Sequence, residues 1–94
     1  MSLHSETSGS GDPLCLLHGW ALNNHVWDHV TEELQQTHQV TRFDLPGHGK
    51  SSPPASGEYT VDTLAESISR ELKPGSILIG WSLGGLVAIK IAQQ

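Results

Sequence analysis

The chain predicts an α/β fold in three layers, a parallel sheet with helices on both faces, and three observations carry that expectation. Short apolar runs at residues 14–17, 39–43 and 77–80 each lead into a turn rich in glycine or proline. The segments between and after them place apolar residues at helical spacing. The resulting alternation of strand and helix requires parallel pairing, because right-handed crossovers must lay each helix against one face of the sheet.

Taken in order, residues 1–12 are polar and rich in Gly and Ser. They form either a leader or a short edge strand at residues 3–7 that turns at Gly9-Ser10-Gly11-Asp12, and composition leaves both readings open. Residues 13–94 make up the domain. Leu14-Cys15-Leu16-Leu17 is continuously apolar, as a central parallel strand covered on both faces should be, and it ends at His18-Gly19-Trp20. In residues 24–37, Val26, Trp27, Val30 and Leu34 share one helical face, with Asn23 or Asn24 as cap. The strand at 39–43 enters the turn-rich segment Asp44-Leu45-Pro46-Gly47-His48-Gly49-Lys50-Ser51, which continues through Pro53-Pro54 to about Tyr59. Thr60 caps a helix with the inward stripe Val61, Leu64, Ala65, Ile68 and Leu72, stopped by Lys73-Pro74-Gly75. The last strand, 77–80, precedes a helix from Leu83 to the end that is apolar on most sides.

Placing the first strand between the other two reverses the winding direction, and ligands in open α/β sheets bind at such a switch point, beyond the carboxyl ends of the strands. Two loops meet there, His18-Gly19-Trp20 and Gly80-Trp81-Ser82-Leu83-Gly84-Gly85. The second fits the G-x-S-x-G nucleophile elbow, in which a strained turn pushes a serine hydroxyl out above the sheet. Its glycines are expected where a β-carbon at 80 or 84 would collide, and where Gly85 lets the helix lie against the strand. The elbow aims the Leu83 N–H at an oxyanion formed when Ser82 attacks a carbonyl, and the Trp20 N–H becomes a second donor.

Ten acidic against five basic residues, the basic ones scattered, argue against nucleic-acid binding. No run reaches membrane-spanning length and no signal peptide opens the chain, so a cytoplasmic protein is expected. Cys15 has no partner for an internal disulfide and reads as a buried strand thiol. Gly49-Lys50-Ser51 does not complete a phosphate loop, because Asp44 stands where the first glycine would be. The histidines show no metal-ligand pattern: His25 and His29 belong to a solvated helix face, His38 to a helix end and His4 to a floppy head. His18 braces its loop rather than acting as a base. Trp20 and Trp81 flank the site, as walls of an acyl pocket or as core packing.

These blocks resemble the α/β-hydrolase superfamily over about residues 14–94. His18-Gly19 follows the third strand of that fold, Asp44-x-Pro46-Gly47-x-Gly49-x-Ser51 the fourth, and the elbow the fifth. More narrowly, His18-Gly19-Trp20-x-Leu22-Asn23-x-x-Val26-Trp27 with Gly80-Trp81-Ser82-Leu83-Gly84-Gly85-Leu86-Val87-Ala88 is similar to the BioH-type carboxylesterases of biotin synthesis, which demethylate pimeloyl-acyl-carrier-protein methyl ester. The resemblance implies Ser82 as nucleophile, Trp20 and Leu83 as substrate-lining and oxyanion residues, no metal and no organic cofactor. It disfavours the aspartate-nucleophile branches. Other serine hydrolases of this fold (lipase, thioesterase, C–C bond hydrolase) are the alternative activities, and a catalytically incomplete binding module is the alternative class.

The triad of that superfamily runs serine, acid, histidine, and the chain ends twelve residues after Ser82, inside an apolar helix. The expectation is therefore an N-terminal portion of a hydrolase of about 250 residues. Its exposed strand edge would meet the missing C-terminal half or a second copy.

Overall fold

The computed structural model describes residues 2–94. Four strands form one sheet in the order β1-β3-β2-β4, with β1 at Ser5–Ser8, β2 at Asp12–Leu17, β3 at His38–Phe43 and β4 at Ile77–Gly80. β2 pairs in parallel with both neighbours, Leu14 lying opposite Val40 and Ile77, and Leu17 opposite Phe43 and Gly80. The winding direction therefore reverses at β2, as the strand order required. β1 runs antiparallel to β3, from Ser5 opposite Phe43 to Ser8 opposite Val40, so the sheet is mixed rather than wholly parallel.

The head of the chain is not floppy. The His4 N–H donates to Ser51 Oγ at 2.9 Å, and the Asp44 N–H donates to the His4 carbonyl at 3.0 Å. This pins the head to the loop that follows β3.

Successive side chains of β2 face opposite sides, and the core divides accordingly. Cys15 and Leu17 join Phe43, Leu45, Leu64, Ala65, Ile68 and Val87 on one face, beneath helices α2 (Val61–Ser69) and α3 (Leu83–Ala92). Leu14, Leu16 and Val40 face the other side, against Trp27 and Leu34. Each fully buried Leu or Ile contributes about 1.5–3 kcal/mol relative to exposure.

α2 begins with a reciprocal cap, the Thr63 N–H donating to Thr60 Oγ1 and the Thr60 N–H to Thr63 Oγ1, both at 3.1 Å. It stops at Ser69, one turn before the expected end. Residues 70–72 tighten into turns ahead of Pro74, and Leu72 still packs on the core.

The segment after β2 departs furthest from expectation. Asn24–Trp27 is a 3₁₀ turn capped by Asn23, whose side chain accepts from the His25 N–H at 2.9 Å, and only Asp28–Leu34 is α-helical (α1). Three residues per turn rotate the start of the segment relative to an α-helix. Asn24, Trp27, Thr31 and Leu34 turn toward the sheet, while Val26 and Val30, assigned to the inward face, are exposed at 42% and 41%. The segment ends by Leu34, so His38 opens β3 instead of closing a helix. Among the described residues no helix is long and apolar enough to cross a membrane.

Candidate active site

β4 ends at Gly80 and α3 starts at Leu83, so the chain reverses within Trp81 and Ser82. Ser82 takes φ 56° and ψ −116°, left-handed backbone that costs a residue with a β-carbon about 1 kcal/mol or more. Turn bonds hold it there: Gly84 N–H to Trp81 O at 3.0 Å, Gly85 N–H to Ser82 O at 2.9 Å, and Trp81 N–H to Leu17 O at 3.0 Å. The Ser82 side chain makes no capping bond and the residue is exposed, leaving its hydroxyl uncommitted.

Glycine is needed on both sides of the bend. A β-carbon on Gly80 would stand 2.3 Å from the Gly84 carbonyl oxygen, and one on Gly84 would stand 2.1 Å from the Leu17 carbonyl oxygen. Gly85 differs from expectation, because its β-carbon would meet nothing nearer than Gly80 O at 3.4 Å, an ordinary contact.

The loop after β2 comes up against this bend. A β-carbon on Gly19 would lie 3.4 Å from Trp81 O and 3.5 Å from Ser82 Cβ. Beyond Gly19 the chain makes a tight turn, Leu22 N–H to Gly19 O at 3.3 Å, with Ala21 at φ 66°. Among the described residues, neither the Trp20 N–H nor the Leu83 N–H donates to a protein atom. For Leu83 this follows from its place in the first turn of a helix. The trio Trp20, Ser82 and Leu83 thus belongs to two loops joined at the carboxyl ends of β2 and β4.

His18 is fully buried, and both ring nitrogens are occupied. Nε2 accepts the Leu45 N–H at 2.9 Å, so the proton sits on Nδ1, which donates to the Gly19 carbonyl at 2.7 Å. Burial pushes its pKa below the ordinary histidine value, with nearby His48 acting in the same direction and the Gly19 carbonyl and Asp44 against. A neutral ring clamped between two loops braces them and has no nitrogen free for Ser82.

Asp44 is likewise spent on structure. Its Oδ1 accepts from the Asn24 N–H at 2.8 Å and Asn24 Nδ2 at 2.9 Å, its Oδ2 accepts from the Lys50 N–H at 3.0 Å, and Ser51 Oγ donates to its carbonyl at 2.6 Å. Burial raises its pKa, but the Lys50 and Asn24 donors outweigh burial and hold the carboxyl below the usual aspartate range. Lys50 and Ser51 serve this loop.

Trp20 and Trp81 are 62% and 54% exposed, so neither belongs to the core. What sequence reasoning missed is the surround of Trp20. Its ring lies edge-on to His48 (centroids 5.0 Å apart) and to Tyr59 (5.6 Å). The only sequence signal for this was a histidine and a tyrosine in the loop after β3.

Cys15 is buried and its thiol is pushed up to about 12 by desolvation, which leaves it unreactive. No group of three or more His, Cys, Asp or Glu side chains among the described residues could hold a metal ion.

Known proteins match this chain over nearly its whole length. The profile of the alpha/beta hydrolase fold matches residues 12–94. The pimeloyl-[acyl-carrier protein] methyl ester esterase of Nitrosomonas europaea is 45% identical over 93 residues, covering 99% of this chain and 36% of the relative. That of Pseudoalteromonas atlantica is 43% identical over 91 residues, covering 97% and 35%. Among solved structures, a thermophilic esterase from Thermogutta terrifontis superposes with a TM-score of 0.87 at 32% identity, covering 98% of this chain and 35% of that one. An esterase from Exiguobacterium antarcticum gives 0.84 at 33% identity, covering 98% and 36%. The chain spans about a third of the length of the relatives it matches. With its profile, its strand order and its elbow in agreement, the chain belongs to the α/β hydrolase fold family.

Proposed function

We propose that this chain carries the nucleophile and the oxyanion-binding loops of a serine carboxylester hydrolase acting on the methyl ester of pimeloyl-acyl-carrier protein. The observation that carries the reading is Ser82, exposed at a strained bend with an uncommitted hydroxyl, next to the unpaired Leu83 N–H and the Trp20 loop. The names of the relatives support the substrate.

In the reaction, Ser82 Oγ attacks the ester carbonyl carbon while a histidine from the rest of the protein takes its proton. The carbonyl π electrons move to oxygen, and the Trp20 and Leu83 N–H groups bind that oxyanion. Collapse expels methoxide, which leaves as methanol with the histidine's proton. Water, deprotonated by the same histidine, then cleaves the acyl-serine to free acid and regenerates Ser82. Trp20 and Trp81 line the approach of the acyl chain, and no metal or organic cofactor takes part.

The charge of −5 makes this part of the protein a poor partner for an acidic carrier, so a basic docking surface belongs to the remainder. The free edge of β4, with Ile77 and Ile79 exposed, pairs there or with a second copy. A cytoplasmic setting is part of this reading, and the few scattered basic residues of an acidic chain offer nucleic acid no binding surface.

The test uses the protein at the full length of its relatives. It compares pimeloyl-acyl-carrier-protein methyl ester with short p-nitrophenyl esters, for the native protein and Ser82→Ala. Methanol release from the carrier-bound ester should fall about a thousand-fold or more in Ser82→Ala. Turnover surviving that substitution removes the serine mechanism. Hydrolysis of p-nitrophenyl esters alone moves the assignment to another serine hydrolase of this fold, a lipase, thioesterase or C–C bond hydrolase.

A further inference from the structure

The elbow rests on backbone that cannot shift without a collision, but the loop opposite it lacks such support. Trp20 is largely exposed, the adjoining turn closes on a single 3.3 Å bond, and Ala21 sits at φ 66° without the freedom of glycine. Something beyond the turn must hold its direction.

The aromatic groups against the Trp20 ring are His48 and Tyr59, at interplanar angles of 81° and 89°. This edge-to-face geometry is favoured by ring quadrupoles. Both partners are themselves anchored. The Tyr59 hydroxyl donates to the Pro46 carbonyl, and its ring lies on Gly47, where a β-carbon would come within 2.8 Å of Cε2. His48 is buried, with Nδ1 2.8 Å from the Tyr59 hydroxyl and 3.2 Å from the Pro46 carbonyl, and its ring is 5.1 Å from that of His18. Pro46 belongs to the loop that Asp44 pins through Asn24 and Lys50. A continuous series of fixed groups therefore runs from Asp44 to Trp20.

We infer that Tyr59, together with His48, is a positioning residue for the oxyanion turn: its anchored ring holds the Trp20 side chain edge-on and thereby sets the direction of the Trp20 backbone N–H. The inference rests on the serine-esterase reading and adds to it a determinant on the loop between β3 and α2, far from Ser82 in sequence. If the ring only stabilised the fold, its loss would lower the melting temperature and leave the folded enzyme's kcat alone. If Trp20 were only a wall for the acyl chain, loosening it would raise KM. An oxyanion donor acts on charge that develops in the transition state, so misdirecting it lowers kcat.

The experiment measures kcat and KM for ester hydrolysis in the full-length protein, for native, Tyr59→Phe, Tyr59→Leu and Ser82→Ala forms, with thermal unfolding to establish that each is folded. Tyr59→Phe keeps the ring but releases it from Pro46, and kcat should fall about three-fold. Tyr59→Leu removes the ring, and kcat should fall about ten-fold or more with KM changed less than about three-fold. A kcat equal to the native value in both variants, or a loss confined to KM, overturns the inference. Should Tyr59→Leu not fold, Tyr59→Phe decides on the same criterion. Survival of activity in Ser82→Ala would instead overturn the underlying esterase reading, so the two failures are distinct.

Discussion

Replacing Gly84 with alanine adds one carbon at the point where α3 crosses the end of β2. That carbon would stand 2.1 Å from the Leu17 carbonyl oxygen and 2.5 Å from that of His18. Both obstacles are backbone, and Leu17 is also held by the Trp81 N–H at 3.0 Å. Restoring ordinary contact moves α3 away by roughly 1 Å in an interior with no slack, and Val87, fully buried on that helix, loses its packing. Overpacking of this kind costs about 1–3 kcal/mol and occasionally more. Alanine is the better helix former by about 1 kcal/mol, which offsets part of the loss. With two unyielding carbonyls the clash prevails, and the net destabilisation should be about 2 kcal/mol or more.

Gly85→Ala is the internal control, because the same gain in propensity comes with a nearest contact of 3.4 Å. It should be neutral or stabilising by up to about 1 kcal/mol. In urea unfolding of the full-length protein followed by tryptophan fluorescence, where the slope is about 2–3 kcal/mol/M, the two midpoints should differ by about 1 M. Coincident midpoints, or a Gly84→Ala protein more stable than the native one, would refute the steric account of the elbow.

Ser82→Gly relieves the left-handed strain that Ser82→Ala retains, so the glycine variant should be the more stable by about 1 kcal/mol in the same unfolding assay. Asp44→Ala leaves the Asn24 and Lys50 donors without their acceptor and should cost about 3 kcal/mol. Because the folded carboxyl titrates below its unfolded value of about 3.9, its contribution is present above that pH and lost as pH falls through the folded value. Asp44→Asn should therefore flatten the acid limb of a stability profile. The 94-residue chain alone, with β4 at an open edge and Leu86 and Ile89 exposed at 55% and 59%, should self-associate, and a monodisperse monomer by light scattering would count against that.

The parts of this molecule legible in its sequence are those set by local chemistry. The run from Ile77 to Gly85 declared a strand, a crowded bend and a helix because the apolar residues stop abruptly at glycines flanking a serine, and β4 ends at Gly80 and α3 starts at Leu83 within it. The central position of β2 followed from its continuous apolar run, which matches burial on both faces. α1 was misjudged because a 3₁₀ turn shifts the helical phase, and a buried Asn24 bonded to Asp44 is a tertiary device that hydrophobic spacing does not register. The ordered His4 and the edge strand β1 depend on partners about forty residues away, Ser51 and β3. For the same reason the Trp20, His48 and Tyr59 rings came together unannounced: their contact is made by loops whose path no periodicity describes.

In the proposed function Ser82 is a nucleophile presented to solvent and backed by two backbone donors. The most direct measurement exposes the full-length protein to a fluorophosphonate and maps the adduct by mass spectrometry. A single phosphonylated site at Ser82, abolished in Ser82→Ala, is the predicted result. An unmodified Ser82, or labelling that persists at another residue after the substitution, would contradict it.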